Sequence, residues 1–315
     1  MKALICGVSG QDGAYLAHHL LSLGYEVVGT SRDAMVTSFS ALERLGVRKQ
    51  VTAVSMAIND FRSVLSTLER HEPDEIYNLA GQTSVGLSFE QPVETMDSIV
   101  GGTLNLLEAI RFTRRPILFY NAGSSEAFGD TGGNAATEAT SFQPRSPYAV
   151  AKASACWLVR NYREAYGLAA CTGILFNHES SLRPERFVTR KIVNAARRIS
   201  QGSQERLKLG NIDIQRDWGW AAEYVQAMHA MVAAGARRDY IVATGRSEAL
   251  RYFVEKAFAH FGLDWQRHVE LDNAMLRPSD IMVSRASAER TRQELNWTAT
   301  SDVDDVIARM CSDEL

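Results

Sequence analysis

A tyrosine and a lysine stand four residues apart in the segment SPYAVAK, as Tyr148 and Lys152. On a helix this spacing places both side chains on one face. An ammonium group beside a phenol lowers the phenol pKa, which makes a tyrosinate usable as a base near neutral pH. Ser124 ends a strand-like run upstream, and its hydroxyl could hydrogen-bond the same substrate oxygen. Together these residues predict a dehydrogenase-type site; the alternative is a Tyr–Lys pair on a helix surface.

The elements that must position this site begin with a glycine turn. The segment GVSGQDG places Gly7, Gly10 and Gly13 directly after a strand-like run and before a helical pattern. The first glycine permits a tight turn, the second lets a pyrophosphate approach the backbone, and the third lets helix and strand pack closely. The helix N-terminus then faces the anion. This context predicts dinucleotide binding.

The tip of the second predicted strand bears on the choice of dinucleotide. In VGTSRD, Arg32 precedes Asp33. An arginine at this point suits a 2′-phosphate, whereas an acid suits the ribose hydroxyls of NAD. We therefore expect NADP as the cofactor, with NAD as the alternative.

Strand-like and helix-like segments alternate through the first half of the chain. The predicted strands are KALIC, EVVGT, VTAVSM, EIYNLA, PILFYNAG and ACTGILF, and DYIVATG is a later one. Short apolar strands between helices predict an α/β fold with a doubly wound parallel Rossmann sheet. After residue 177 the alternation breaks, which predicts a smaller, discontinuous C-terminal substrate-binding lobe. We expect a Rossmann domain at 1–177 plus 218–242 and the lobe at 178–217 plus 243–315.

Composition excludes several classes of function. The chain has 315 residues, 45% of them hydrophobic, and a net charge of −3, which is ordinary globular composition without a basic nucleic-acid surface. The four cysteines lack metal-ligand spacing, so neither a metal site nor a disulfide is expected. No apolar run reaches membrane-spanning length. We expect a cytoplasmic enzyme with no nucleic-acid or membrane partner.

Longer motifs are more specific than the Rossmann pattern. They include GQDGAYLAHHLLSLGYEVVG, YNLAGQTSVGLSFEQP, PRSPYAVAKA, GILFNHES, FVTRKI and LGNIDIQRDWG. With them the chain resembles the GDP-mannose 4,6-dehydratases, a branch of the extended short-chain dehydrogenase/reductases, over nearly its whole length. GILFNHES, FVTRKI and RDWG separate this branch from glucose-type dehydratases and from 4-epimerases.

The resemblance implies an NADP-dependent hydro-lyase of deoxysugar biosynthesis that converts GDP-mannose to GDP-4-keto-6-deoxymannose. C4 is oxidised, water leaves from C5 and C6, and the hydride returns to C6. The position-by-position match implies that Tyr148 is the base, with Lys152 as its partner. Ser124 replaces a threonine with its hydroxyl retained. Glu126 matches the carboxylate that carries the extra proton of the elimination.

The resemblance also implies binding residues. For the cofactor they are Gly7, Gly10, Gln11, Asp12, Gly13, Arg32, Leu79, Ala80, Tyr148, Lys152, Asn177, His178 and Arg183. For the GDP-sugar they are Ser84, Ser88, Glu126, Asn177, Lys191, Arg216, Arg251, Arg277 and Asp280. Guanidinium groups suit the two phosphates. The alternative for Arg216 and Arg277 is a structural ion pair.

Some positions depart from the family pattern. Asp280 replaces a glutamate that contacts ribose, and Gly123 replaces a serine, which raises the question of a wider sugar pocket. Asp33 replaces a second arginine that acts across a subunit interface in the family, so we expect a homodimer, with a homotetramer as the alternative. Other functional hypotheses are a GDP-heptose 4,6-dehydratase, a related nucleotide-sugar 4-epimerase or reductase, and a non-catalytic nucleotide-sugar binder.

Overall fold

The apolar runs pair into a seven-stranded parallel sheet in the computed structural model, which describes residues 1–276 and 279–315. The strands are β1 (Lys2–Cys6), β2 (Glu26–Ser31), β3 (Val51–Ser55), β4 (Glu75–Asn78), β5 (Leu118–Ala122), β6 (Ala170–Leu175), β7 (Asn177–Glu179), β8 (Leu207–Leu209), β9 (Gln215–Arg216), β10 (Trp218–Trp220), β11 (Tyr240–Val242), β12 (Glu248–Ala249) and β13 (Val269–Leu271). The large sheet has the order β11-β6-β5-β4-β1-β2-β3. The predicted doubly wound fold is confirmed, since the strand order reverses between β1 and β4.

Helices cover both faces of this sheet and form most of the lobe. They are α1 (Gln11–Ser22), α2 (Ser40–Arg44), α3 (Phe61–His71), α4 (Val85–Glu90), α5 (Pro92–Met96), α6 (Gly102–Thr113), α7 (Pro147–Tyr166), α8 (Val188–Ser200), α9 (Ala221–Ala233), α10 (Leu250–His260), α11 (Glu289–Leu295) and α12 (Val303–Cys311). Short 3₁₀ turns lie at Arg48–Gln50, Ser125–Phe128, Trp265–Arg267 and Asn273–Met275, and a π-helical turn at Asp97–Gly101 joins α5 to α6. Within the described ranges, no helix is both long and apolar enough to cross a membrane.

The sheet is buried on both faces because successive residues of a strand point to opposite sides. In β1, Ala3 and Ile5 belong to the core under α1 and α9. Leu4 and Cys6 belong to the core under α3, α6 and α7. A strand with two buried faces must be apolar throughout, which is why these segments show no polar alternation.

The lobe has a core of its own. Apolar residues of α8, α10 and α12 pack with the short strands β8 and β13, which pair in parallel. This cluster also takes Trp218 and Trp220 from β10, and β10 pairs with β7 beside the sheet. Trp297 lies in the sheet core instead. The two cores therefore share connecting segments, and the chain passes between them more than once.

All four cysteines are buried free thiols. Burial raises the pKa of Cys6, Cys156 and Cys311 to about 12, and it raises the pKa of Cys171 as well. Each of the four therefore packs as a small apolar core residue.

Candidate active site

A cavity of about 360 Å³ lies where the carboxyl ends of the sheet strands face the lobe. Ligands of doubly wound sheets bind at this edge. We call two parts of its lining the sheet wall and the lobe wall. The sheet wall comprises Asp12, Leu79, Ser124, Glu126, Tyr148 and Lys152. The lobe wall comprises Arg183, Arg186, Lys191, Lys208, Arg216 and Asp280.

Helix α7 positions the tyrosine and the lysine. It begins at Pro147, and the hydroxyl of Ser146 caps it by accepting a hydrogen bond from the Ala149 amide at 3.1 Å. Tyr148 and Lys152 therefore lie in the first two turns, on the face turned towards the sheet. Both are buried, with 8% and 7% of their surfaces exposed.

The predicted lowering of the Tyr148 pKa is wrong for the protein alone. Burial, together with the nearby Glu126 carboxylate, raises the pKa of Tyr148 to about 12, and a hydrogen bond with the Ser124 hydroxyl opposes this rise. The Lys152 ammonium lies 5.8 Å from the phenol ring centre and donates its hydrogen bond to the Ala122 carbonyl, at 2.8 Å. Burial also lowers the pKa of Lys152 to about 8. Sequence spacing could not reveal this, because it carries no information on desolvation.

The serine and the acid sit on the 3₁₀ turn that follows β5. Ser124 caps this turn by accepting a hydrogen bond from the Glu126 amide at 3.3 Å. The turn directs Ser124 and Glu126 into the same cavity as Tyr148. The structure thus brings together all four residues that the sequence assigned to catalysis.

Close packing against β6 leaves no room for a side chain at Gly123. A Cβ atom there would lie 2.7 Å from Cγ2 of Thr172 and 3.0 Å from the Gly173 carbonyl oxygen. Those contacts point into the sheet, so the absent side chain does not enlarge the sugar pocket. The glycine at position 123 is therefore explained by close packing between β5 and β6 and not by a wider sugar pocket.

The glycine turn forms a close-fitting cradle at the start of α1. A Cβ atom on Gly13 would lie 2.4 Å from the Gly7 carbonyl oxygen, so only glycine fits this approach. Gly7 adopts φ +84° and lies against Leu79 and Ala80. Gly10 is the N-cap of α1 and brings no capping side chain, so the first-turn amides can face a phosphate. These observations fit a dinucleotide.

A buried polar network joins α1 to the segment after β7. The Asp12 carboxylate lies 2.9 Å from Nε2 of His178, and the Arg183 guanidinium binds Glu179 at 2.8 Å. Burial opposes ionisation of Asp12, but His178 and Arg183 outweigh it and hold its pKa well below the usual range. Gln11 extends the network by donating to the His178 carbonyl at 3.2 Å. The network fixes the cofactor end of the cavity.

The predicted cofactor residues divide by location. Those that line the cavity are Asp12, Leu79, Tyr148, Lys152, Asn177, His178 and Arg183. Gly7, Gly10, Gln11, Gly13 and Ala80 form or contact the glycine turn and its helix. Arg32 follows β2, its side chain is 90% exposed, and Glu94 lies 4.0 Å away. It remains available to a phosphate at the strand tip.

The lobe wall carries two of the four predicted substrate cations, Lys191 and Arg216. Arg216, in β9, is buried and donates to the Ile281 carbonyl at 2.7 Å and to Asp280 at 3.4 Å. Lys191, in the first turn of α8, donates to the Lys208 carbonyl at 2.8 Å. Arg216 thus lines the cavity and also takes part in an ion pair. The two alternatives for this residue coexist in the structure.

The other predicted substrate residues have different locations. Ser84, Glu126 and Asn177 line the cavity. Ser88 does not line it; the side chain is buried and donates to the Val85 carbonyl at 2.7 Å. Arg251 is outside the lining as well and pairs with Asp213 at 2.7 Å. Arg277 lies outside the described residues, so its role stays a prediction.

The sequence did not single out several lining residues. Thr83, Arg186, Lys208 and Asn211 contribute to the cavity. Thr83 is adjacent to the predicted Ser84, and Arg186 lies between the predicted Arg183 and Lys191. Proximity to motif residues was the available signal. The register of short lobe strands could not be derived from periodicity.

Comparisons with known proteins show which family this chain resembles. The sequence model of the family GDP-mannose 4,6 dehydratase matches residues 4–310. GDP-mannose 4,6 dehydratase 1 of Arabidopsis thaliana is 42% identical over 323 residues, covering 99% of this chain and 89% of that protein. GDP-mannose 4,6-dehydratase of Sinorhizobium fredii is 41% identical, covering 99% and 96%. A dTDP-glucose 4,6-dehydratase from Bacillus anthracis, solved with NAD, superposes with a TM-score of 0.87 at 18% identity and covers 99% of this chain and 96% of that one.

Proposed function

Because this chain belongs to the GDP-mannose 4,6-dehydratase family, we propose that it removes water from GDP-mannose to give GDP-4-keto-6-deoxymannose. The observation that carries the proposal is the position of Glu126, which lines the same cavity as Ser124, Tyr148 and Lys152. A 4-epimerase or a 4-reductase needs the tyrosine and the lysine but not this acid.

Tyr148 acts first, as the base that accepts the proton of the C4 hydroxyl. Ser124 hydrogen-bonds the same oxygen and holds it towards the phenol. Lys152 donates to the Ala122 carbonyl and places a positive charge beside the tyrosine. When bound, an oxidised nicotinamide would supply the acceptor for the hydride from C4, the hydride for C6, and a second positive charge that favours the tyrosinate.

Glu126 then carries the proton of the elimination. Its carboxylate takes the C5 proton, which the C4 carbonyl has made acidic. The same group donates that proton to the C6 hydroxyl, which departs as water. Glu126 is thereby returned to its ionised form, so one carboxylate serves as base and then as acid. When the hydride returns to C6, C5 takes up one proton. The proton that Tyr148 accepted from the C4 hydroxyl supplies it, so the tyrosinate is regenerated as well.

The residues around the glycine turn would hold NADP. The cradle formed by Gly7, Gly10 and Gly13 accepts the diphosphate, and the exposed Arg32 guanidinium suits a 2′-phosphate. Asp33 is the feature that favours NAD. Titrating the protein with NADPH and with NADH, and repeating both with Arg32→Gln, tests the preference: we expect only NADPH binding to weaken.

We also propose that the enzyme is a homodimer. Exposed apolar side chains on neighbouring helices support this, among them Phe112 of α6 and Trp157 of α7, which are 63% and 58% exposed. Light scattering at micromolar concentration measures the mass directly. A monomer or a tetramer would contradict the proposal.

The decisive experiment incubates the purified protein with NADP⁺ and GDP-mannose and follows the product by mass spectrometry. We expect a product lighter by one water molecule. An unchanged mass with an inverted C4 would indicate an epimerase, and conversion of a GDP-heptose alone would change the substrate but not the mechanism. Glu126→Gln should abolish the water loss with NADPH still bound. Glu164→Gln, at an exposed position of α7, is the matched control.

A further inference from the structure

Arg186 is a cavity residue whose role the sequence did not indicate. It lies in the segment between β7 and α8, and its guanidinium stands 5.3 Å from the ring centre of Phe187. One of its nitrogens is 3.5 Å from the hydroxyl oxygen of Thr83, which belongs to the loop after β4. The side chain is exposed, and these two contacts place its guanidinium at the rim of the cavity that it lines.

Two neighbouring arginines pair with acids. Arg183 pairs with Glu179 at 2.8 Å, and Arg190 pairs with Asp313 at 2.9 Å. Across residues 1–276 and 279–315, the structure gives Arg186 no carboxylate within salt-bridge distance. Within the described residues, the exposed Arg186 guanidinium is therefore balanced by water rather than by an acid, and a ligand anion in the cavity could take the place of that water.

The surroundings of Arg186 favour an anion with more than one oxygen. Helix α8 has 13 residues, and Phe187 provides no side-chain cap at its N-terminus. Val188, Thr189 and Lys191 of its first turn line the cavity next to Arg186. First-turn amides, an ammonium and a planar guanidinium together match the oxygens of a diphosphate.

We propose that Arg186 binds the diphosphate of a nucleotide ligand and that this ligand is the sugar nucleotide. The inference rests on the proposed function, in which both the substrate and the dinucleotide carry a diphosphate. The position of Arg186 beside α8 favours the substrate, because the glycine cradle for the dinucleotide lies at α1. Arg186 is then a determinant of affinity that acts without touching the reacting carbons.

The test uses the full chain and two probes, GDP and NADPH, titrated separately by calorimetry. For Arg186→Gln we expect the Kd for GDP to rise about tenfold, the size of one charge-assisted contact. The Kd for NADPH should stay within about twofold of wild type. Arg186→Lys should recover part of the loss, since it keeps the charge but not the planar fork. Arg70→Gln, at an exposed position in the last turn of α3, controls for the change in net charge.

The outcomes are separable. A weaker NADPH affinity with unchanged GDP affinity would move Arg186 to the dinucleotide and overturn the choice of the sugar nucleotide. If Arg186→Gln has the same Kd for GDP as Arg70→Gln, and also the same Kd for NADPH, Arg186 does not bind a diphosphate and the proposal is overturned. If the wild type fails to dehydrate GDP-mannose while Arg186→Gln still loses GDP affinity, the proposed function fails and the role of Arg186 stands.

Discussion

The sheet wall takes its reactive groups from one strand end and from one long helix. The lobe wall takes Arg183, Arg186, Lys208 and Arg216 from short strands and loops, and only Lys191 from the first turn of a helix, α8. Tyr148 and Lys152 lie on the 20-residue helix α7, which is capped at its start by Ser146. Arg216 lies in β9, a strand of two residues, and Arg186 lies between two elements. The two walls thus differ in the length and regularity of the elements that carry their side chains.

This difference matches the work proposed for each wall. Proton transfer needs the base and the acid within a narrow range of positions, which regular elements supply. Recognition of a nucleotide tolerates more movement, and loops on a rigid scaffold are its usual location. We therefore expect changes in the sheet wall to lower kcat and changes in the lobe wall to raise KM.

The largest expected effect is on the sheet wall. Tyr148→Phe removes the base, and kcat should fall about 10³-fold with KM little changed. Steady-state kinetics with GDP-mannose measures both. The matched control is Tyr162→Phe on the same helix, whose hydroxyl donates to Glu108 at 2.5 Å on the far side from the cavity. A loss of similar size in both variants would mean that α7 had been damaged rather than the chemistry.

On the lobe wall we expect a smaller and different effect. Arg216→Gln should raise KM for the GDP-sugar by about 10- to 100-fold because a charge-assisted phosphate contact is lost. Kinetics should show kcat within about threefold of wild type, and a thermal melt shows whether the loss of the Asp280 pair affects folding. Arg238→Gln, an exposed arginine paired with Glu294, is the control. A drop in kcat without a change in KM would contradict the expectation that the lobe wall acts in binding and the sheet wall in catalysis.

The tight packing of the sheet wall can be tested at Gly123. Gly123→Ser should lower the free energy of unfolding by about 1–3 kcal/mol, because its Cβ atom would meet Thr172. Urea denaturation measures this. A double-mutant cycle with Thr172→Ala should recover part of the loss. Gly86→Ser is the control, since the nearest atom to its Cβ is 3.9 Å away; equal losses at both glycines would contradict a specific clash.

The smallest effect concerns the pH dependence of stability. Burial lowers the pKa of Lys152 from 10.5 to about 8, so between pH 8 and 10.5 the unfolded chain binds more protons than the folded one. The contribution of Lys152 to the free energy of unfolding therefore rises with pH in this window, by at most about 1.4 kcal/mol per pH unit. Urea denaturation of the cofactor-free protein should show that the wild type gains stability relative to Lys152→Met from pH 8 to 10. If the difference in free energy of unfolding between wild type and Lys152→Met stayed constant over this range, the lowered pKa of Lys152 would be contradicted. Lys49→Met, at an exposed site, is the control.

The sheet could be predicted from the sequence because its signals are local. Apolar strands, a glycine turn and intervening helical patterns specify a parallel sheet, and all seven predicted strands pair in it. The same holds for Ser124, Glu126, Tyr148 and Lys152, which stand at strand ends and at a helix start. Topology brings such positions together at one edge.

The lobe wall and the pKa values of the site residues could not be predicted as well from the sequence. Short strands such as β8 and β9 have too few residues to show a period, so the contacts of Lys208 and Arg216 depend on tertiary packing. The raised pKa of Tyr148 arises from burial, which spacing does not encode. In the sequence Arg186 resembles any surface arginine; only the structure shows that it lines the cavity and, in the part of the chain that is described, pairs with no acid.

The four buried thiols give each region its own chemical reporter. A thiol reacts with alkylating reagents as the thiolate, and burial keeps these groups protonated and out of reach. Cys6 and Cys171 lie in the central strands, whereas Cys311 ends α12 in the lobe core. Alkylation of Cys311 therefore records openings of the lobe, and alkylation of Cys6 records openings of the sheet. The chain carries a built-in measure of whether its two cores unfold together or one at a time.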